Sequence, residues 1–202
     1  MYAIVEDNNI TQYINNPKSV IIWDVRYPAK IFELWTTAEK EAIGIYEIVV
    51  DKTNYKDPEY YNNTNSSYTF ADGQVTESWG TATAKELEDR NATDEDGVEL
   101  NPIVVIEGLK TEKKKIVKAQ ASTLLERTDW HNHKALDDDS YTIPDNIKTY
   151  RANVRAKSNE MDTQIDACNN VDELKTLYEY VNTGTEENPV YERPLAEFPE
   201  EI

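Results

Sequence analysis

Cysteine is almost missing from this chain of 202 residues, where Cys168 stands alone. A single thiol can form no internal disulfide, so the fold must rest on burial and hydrogen bonds, as suits a reducing compartment. Glycine is also scarce, at 6 residues. None of them builds a Walker phosphate loop or a Gly-x-Ser-x-Gly elbow, which removes the usual signatures of nucleotide and serine-nucleophile chemistry. Histidine is scarcer still, at 2 residues, and no His-Glu-x-x-His pair occurs. Long apolar runs are lacking, so no membrane span is expected. The opening "MYAIVEDNNITQY" has neither a basic n-region nor an apolar h-region and predicts no secretory signal. Positive charge is short as well. Against 39 Asp and Glu stand 21 Lys and Arg, a net charge of −18 that repels phosphate and makes nucleic acid and anionic membranes poor partners.

What is present is unevenly spread. Residues 107–160 hold 11 basic and 9 acidic residues, so that segment is near neutral and the rest carries the negative charge. Such a split argues for two units with different surfaces. Residues 1–80 read as short strands broken by turns. "YAIVED" opens a strand, "SVIIWDV" offers another between Pro17 and Pro28, and "IGIYEIVVD" is rich in β-branched and aromatic residues. Asp72-Gly73 predicts a hairpin turn between Tyr68-Phe70 and Val75-Trp79. "TTAEKEAIG" reads as a short helix, capped by Thr36 or Thr37 and ended at Gly44. Aromatic residues concentrate in this half, which suits contact with another protein.

Residues 81–106 read as an acidic connector in which "TAKELEDRN" forms a brief helix, and Asp94, Asp96 and Gly97 resemble the start of a calcium loop whose later ligands do not follow. From 107 the period becomes helical. "EGLKTEKKKIVKAQASTLLERT" predicts a helix with Leu109, Ile116 and Leu124 on one side. Its lysine run reads as a solvated face. Pro144 opens a second helix, along which Ile147, Val154, Met161 and Cys168 recur every seven residues while Arg151 and Ser158 form a polar companion seam. "NVDELKTLYEYV" is a third helix capped by Asn170, with Glu173 at the capping-box position. Residues 182–202 predict an extended acidic tail with docking points at Val190-Tyr191 and Leu195 to Phe198.

One stretch, "LLERTDWHNHKALDDD", holds both histidines, His131 and His133, beside four aspartates. It reads either as a metal or acid/base site or as the link between two helices. A catalytic zinc wants three protein ligands and a third histidine is lacking, so the expectation is a solvated loop and no metal. Cys168 on an apolar seam is expected to be buried and inert. Of 39 carboxylates, nothing selects a catalytic pair. No catalytic, cofactor-binding or metal residues are assigned, and the chain reads as non-enzymatic.

"LLERTDW", followed after a polar loop by "YRANVR", resembles the bacteriophage tail fibre assembly chaperone family, whose members show Leu-Leu-x-x-Thr/Ser-Asp-Trp, a loop, then Tyr-Arg-x-x-Leu-Arg. The matching positions are Leu124, Leu125, Thr128, Asp129, Trp130, Tyr150, Arg151, Val154 and Arg155. The chain departs from the family at Ile147, where a tryptophan is frequent, and in a longer, more acidic loop. The resemblance covers about residues 115–166, and the β half resembles small domains found ahead of such helices only weakly. It implies a chaperone acting in the host cell cytoplasm, a phage tail fibre protein as partner, a homo-oligomer with three copies, and neither nucleic acid nor membrane. The rival is a structural virion protein of the tail, a fibre component or adaptor. From the residues themselves, Thr128 or Asp129 is expected to close the first helix, Trp130 to fold back on Leu124 and Leu125, and Arg151 and Arg155 to reach Asp129 or a partner's acids. The fold expected is α+β: a small mixed, mainly β, sandwich-like domain over 1–80, the connector 81–106, a helical hairpin or bundle over 107–181, and the tail 182–202.

Overall fold

Three tight turns shape the amino-terminal half. Asp7-Asn8 joins β1 (Tyr2–Glu6) to β2 (Asn9–Ile14), and Trp23-Asp24 joins β3 (Val20–Ile22) to β4 (Val25–Tyr27). After α1 (Ile31–Leu34), α2 (Thr37–Glu41), β5 (Ile45–Asp51) and β6 (Tyr61–Asn62), Asp72-Gly73 joins β7 (Ser66–Ala71) to β8 (Gln74–Trp79). Both central residues of each turn have positive φ, the type I′ geometry whose twist matches that of the flanking strands. Only the Asp-Gly turn was legible in advance. "SVIIWDV", expected as one strand, is folded in two by Trp23-Asp24, because each strand needs only three residues to set Val20 and Ile22 inward.

The computed structural model describes residues 1–202, which divide into two compact units, Met1–Thr83 and Ala84–Ile202. The first contains a five-stranded sheet in the order β2-β1-β5-β8-β7, antiparallel except between β5 and β8. Strand β1, between β2 and β5, is covered on both faces. Ile4, with Ile14 and Ile45, packs against Val20 and Ile22 of the hairpin and Ile31 and Phe32 of α1. Ala3 and Val5 face the other way, onto Ile48 and Val75. The sheet curls until its edges meet: Tyr13 of β2 and Tyr68 of β7 lie 4.6 Å apart between ring centroids. The second layer of this sandwich-like unit is therefore the β3–β4 hairpin with α1 rather than another large sheet.

Helix α2 starts as expected. Glu39 N–H donates to Thr36 Oγ1 (3.3 Å) and Thr36 N–H donates to Glu39 Oε2 (2.8 Å), a reciprocal capping box. It ends at Gly44, whose φ is 84° and where a Cβ would sit 2.5 Å from the Val5 carbonyl oxygen. Only glycine fits there.

β9 (Thr83–Ala84) spans the boundary, and "TAKELEDRN" is not helical. Its backbone serves another helix instead. Leu109 N–H donates to Glu86 O (3.0 Å), Lys110 N–H to Leu87 O (3.1 Å) and Gly108 N–H to Asp89 Oδ1 (2.8 Å), so these residues cap α3 (Leu109–Glu126). A Cβ on Gly108 would come within 2.4 Å of the Glu88 backbone. The segment read as a connector thus belongs to the second unit, with its own ribbon of β10 (Arg90–Asn91) and β11 (Val105–Ile106). The Asp94 carboxylate accepts from the N–H groups of Asp96 (3.0 Å) and Val98 (2.9 Å), the job of a turn residue rather than a calcium ligand.

α4 (Asp129–Asp137), α5 (Asp145–Ala167) and α6 (Val171–Tyr178) complete the helical set. α5 packs on α3 along both of its seams: Val154, Met161, Ile165 and Cys168 are buried, and so are Arg151 and Ser158. The buried face of α3 runs through Leu109, Lys110, Lys113, Val117 and Ala121, while Ile116 is half exposed, a rotation from the expected face. The lysines cause it. Lys110 Nζ reaches Glu88 (2.5 Å) and the Asp166 carbonyl (3.0 Å), and Lys113 lies 4.7 Å over the Tyr178 ring, so their stems pack while their heads are paired. The tail is docked: after the ribbon of β12 (Val181–Asn182) and β13 (Tyr191–Glu192), Leu195 is buried and Gln164 holds the backbone on both sides of it, at Pro194 O (3.0 Å) and Ala196 N (2.8 Å).

Trp23 sits at φ 48° and is 60% exposed, a bulky residue in a backbone region it disfavours. Trp23→Asn is expected to raise stability by about 0.5–1 kcal/mol, read by chemical denaturation. Backbone N–H groups, of Thr36 at Glu39, Gly108 at Asp89 and Asn169 at Glu173, hold these carboxyls below their usual range. A lowered folded pKa gives stability that is present above the unfolded pKa and lost as pH falls through the folded one. The melting temperature is expected to drop below about pH 4.5, and to drop less in the Glu39→Gln, Asp89→Asn, Glu173→Gln triple variant.

Candidate functional site

The carboxy-terminal end of α3 leaves carbonyl groups without helical partners. The Leu125 carbonyl is met three times: by the Thr128 N–H (3.1 Å), the Thr128 hydroxyl (3.0 Å) and Nη1 of Arg151 (2.8 Å) arriving from α5. The same Nη1 donates to Thr128 Oγ1 (2.7 Å), and Nη2 pairs with Asp129 Oδ1 (2.7 Å). Arg151 is 8% exposed. Its planar fork therefore ties the end of α3, the intervening threonine and the first residue of α4 to the middle of α5. A cation at a helix carboxyl end is also favoured by the helix dipole, and a guanidinium is suited to several acceptors held in one plane.

Apolar packing supports the fork. Tyr150 and Val154 of α5 meet Ala121, Leu124 and Leu125 of α3, and Phe198 of the tail closes the cluster. Leu124, Leu125, Thr128, Asp129, Tyr150, Arg151 and Val154 thus come together. Arg155 does not join Asp129; it is exposed and reaches only the Arg151 carbonyl, at 3.4 Å.

Trp130 departs from expectation. It does not fold back on Leu124 and Leu125 but is 54% exposed, stacked on His131 with ring centroids 3.7 Å apart. "HNHKALDDD" is likewise no solvated loop, because α4 takes residues 129–137 into a helix. The inward residue of that helix is His131, whose Nδ1 is hydrogen-bonded to the Tyr141 hydroxyl. Lys134 Nζ lies 4.3 Å over the Tyr141 ring. With the aromatic slot filled by His131, the adjacent Trp130 is turned outward. On a helix, residues two apart point about 200° from each other, so His131 and His133 share no face. No three His, Cys, Asp or Glu side chains gather where they could hold one metal ion. Asp138 closes a local turn through the Ser140 N–H and hydroxyl, and these bonds keep its carboxyl below the usual range. Cys168 is buried, and desolvation pushes its thiol up, away from reactivity.

Beside Phe198 the surface opens into a groove of about 500 Å³, lined by Ile116, Gln120, Thr123 and Leu124 of α3 with Arg127 and Glu201 at its rim. Arg127 and Glu201 form an ion pair across it. Of Tyr141 and Phe198, the sequence marked only the second, as one end of the Leu195-to-Phe198 docking stretch. Against known proteins the chain finds no match among family models, curated sequences or solved structures.

Arg151→Ala is expected to cost about 3 kcal/mol, because the Leu125 carbonyl and Thr128 hydroxyl lose a buried donor. Arg151→Lys, with one ammonium in place of the fork, is expected to recover less than half of that in urea unfolding. Asp129→Asn, at a half-exposed partner, is expected to cost under about 1 kcal/mol.

Proposed function

We propose that this chain is a non-enzymatic assembly chaperone for a phage tail fibre protein, holding the fibre polypeptide and promoting its folding and trimerisation. The observation that carries the reading is the junction itself. The Leu-Leu-x-x-Thr-Asp and Tyr-Arg-x-x-Val positions, whose hydrogen-bonded members Leu125 and Thr128 lie 26 and 23 residues from Arg151, form one network around that buried guanidinium.

In this reading the network is the scaffold of the helical unit, and each unit contributes one exposed tryptophan as a contact residue. Trp130 is presented outward from α4, and Trp23 is presented from the strained tip of the β3–β4 hairpin. Tryptophan is the residue type most enriched among energetic centres of protein interfaces. Neither is needed to fill a core, and Trp23 is held at a conformational cost. Both therefore fit a role in gripping apolar client surface. The acidic charge outside the near-neutral helical segment keeps such a carrier soluble while apolar rings are exposed.

Coexpression with a fibre protein from the same genome is expected to give a soluble complex and more fibre trimer than the fibre alone. Trp130→Ala and Trp23→Ala should each leave the far-UV helix signal intact and shift stability by under about 1 kcal/mol. Together they should reduce recovered trimer at least severalfold. A fibre that trimerises equally well without this chain contradicts the reading.

A further inference from the structure

The β10–β11 ribbon carries an anomaly. Ile103, Val104, Val105 and Ile106 are four successive apolar residues, exposed by 63%, 48%, 54% and 40%. Consecutive exposed apolar residues on a strand invite pairing with another strand unless something covers them. The backbone there is half used. Ala92 N–H donates to the Val104 carbonyl (2.7 Å), and Arg90 pairs with Ile106 across the ribbon. Alternate residues of an antiparallel strand direct their N–H and C=O to opposite edges, so those of Val105 face the outer edge, where no third strand lies, and those of Ile103 do so when the strand extends back to it. A two-stranded ribbon of this size is marginal by itself.

We propose that a second copy of this chain covers it, by antiparallel pairing of β11, extended back to Ile103, with its own equivalent about a two-fold axis. Charge selects this occupant. Residues 101–106, Asn-Pro-Ile-Val-Val-Ile, bear no ionisable side chain in a chain of net charge −18. Two copies can approach there without the repulsion that the acidic parts of the chain bring. The outward groups also select the register. Ile103 and Val105 exchange hydrogen bonds with Val105 and Ile103 of the second copy, which places Val104 opposite Val104. In that register Glu107 falls opposite Asn101, so no two carboxylates oppose each other. Pro102, lacking an N–H, ends the pairing. The contact is isologous and closed, as two-fold interfaces are. It is small, so a dimer in the micromolar range is expected. This pairing does not depend on the identity of any client.

Sedimentation equilibrium of the full chain from about 1 to 200 µM tests it, a range set by that small interface. The wild type is expected to pass from monomer to dimer. Val104→Lys and Val104→Glu each set like charges face to face across the axis, and each alone should weaken the dimer at least roughly tenfold. An equimolar mixture of the two variants should dimerise again as a mixed pair. A wild type that stays monomeric overturns the proposal, as does a Val104→Lys chain that dimerises like the wild type. Two monomeric variants that fail to pair when mixed overturn it too.

Discussion

A buried guanidinium holds the helical unit together. Arg151 reaches across from α5 to the last carbonyls of α3, and the geometry of everything nearby follows from what its fork requires. Thr128 must stand between helices, its hydroxyl accepting from the arginine while donating to Leu125. Asp129 must begin the next helix, where a carboxylate also suits the amino-terminal end of the dipole. α4 then starts in a fixed direction, His131 turns in toward Tyr141, and Trp130 turns out. An uncharged residue at 151 could pack against α3, but the Thr128 hydroxyl and the Asp129 carboxylate would lose the donor that ties them to α5.

The same logic explains which parts of the fold were legible. Apolar positions at helical spacing located α3, α5 and α6; Thr36 caps α2 in a full capping box, while Asn170 caps α6 and the Glu173 carboxylate accepts instead from the Asn169 N–H. The faces were harder. Lys110, Lys113, Arg151 and Ser158 are buried, and a reading that keeps charge outside turns α3 by part of a turn. Lys110, Lys113 and Arg151 are inside because a specific partner awaits each: Glu88, the Tyr178 ring, and the end of α3. Those partners lie 22 or more residues away in sequence, beyond the reach of local patterning. The tail shows the same blindness, since Gln164 grips its backbone from 30 residues back.

In the β unit the limit was turn chemistry. Asp-Gly announces itself, but Asp7-Asn8 and Trp23-Asp24 adopt the same positive-φ geometry without a glycine. Tertiary packing of Val20 and Ile22 on the curled sheet imposes the second of these against the preference of tryptophan. Of the candidate site, the junction residues were legible and their roles partly so. The exchange of places between Trp130 and His131 was not, because it depends on Tyr141, ten residues on. Residues that break a local rule here, the exposed tryptophans and the uncharged ribbon edge, are the ones to which contacts with other chains are assigned.

The central claim is that Arg151 sets the start of α4 and thereby presents Trp130. Amide hydrogen exchange of Arg151→Lys against the wild type tests it most directly, since local opening is read segment by segment. The account predicts that amides of residues 131–137 lose protection while those of α6, capped independently by Asn170 and Glu173, keep theirs. Unchanged protection in α4, or a uniform loss across every helix, would contradict it.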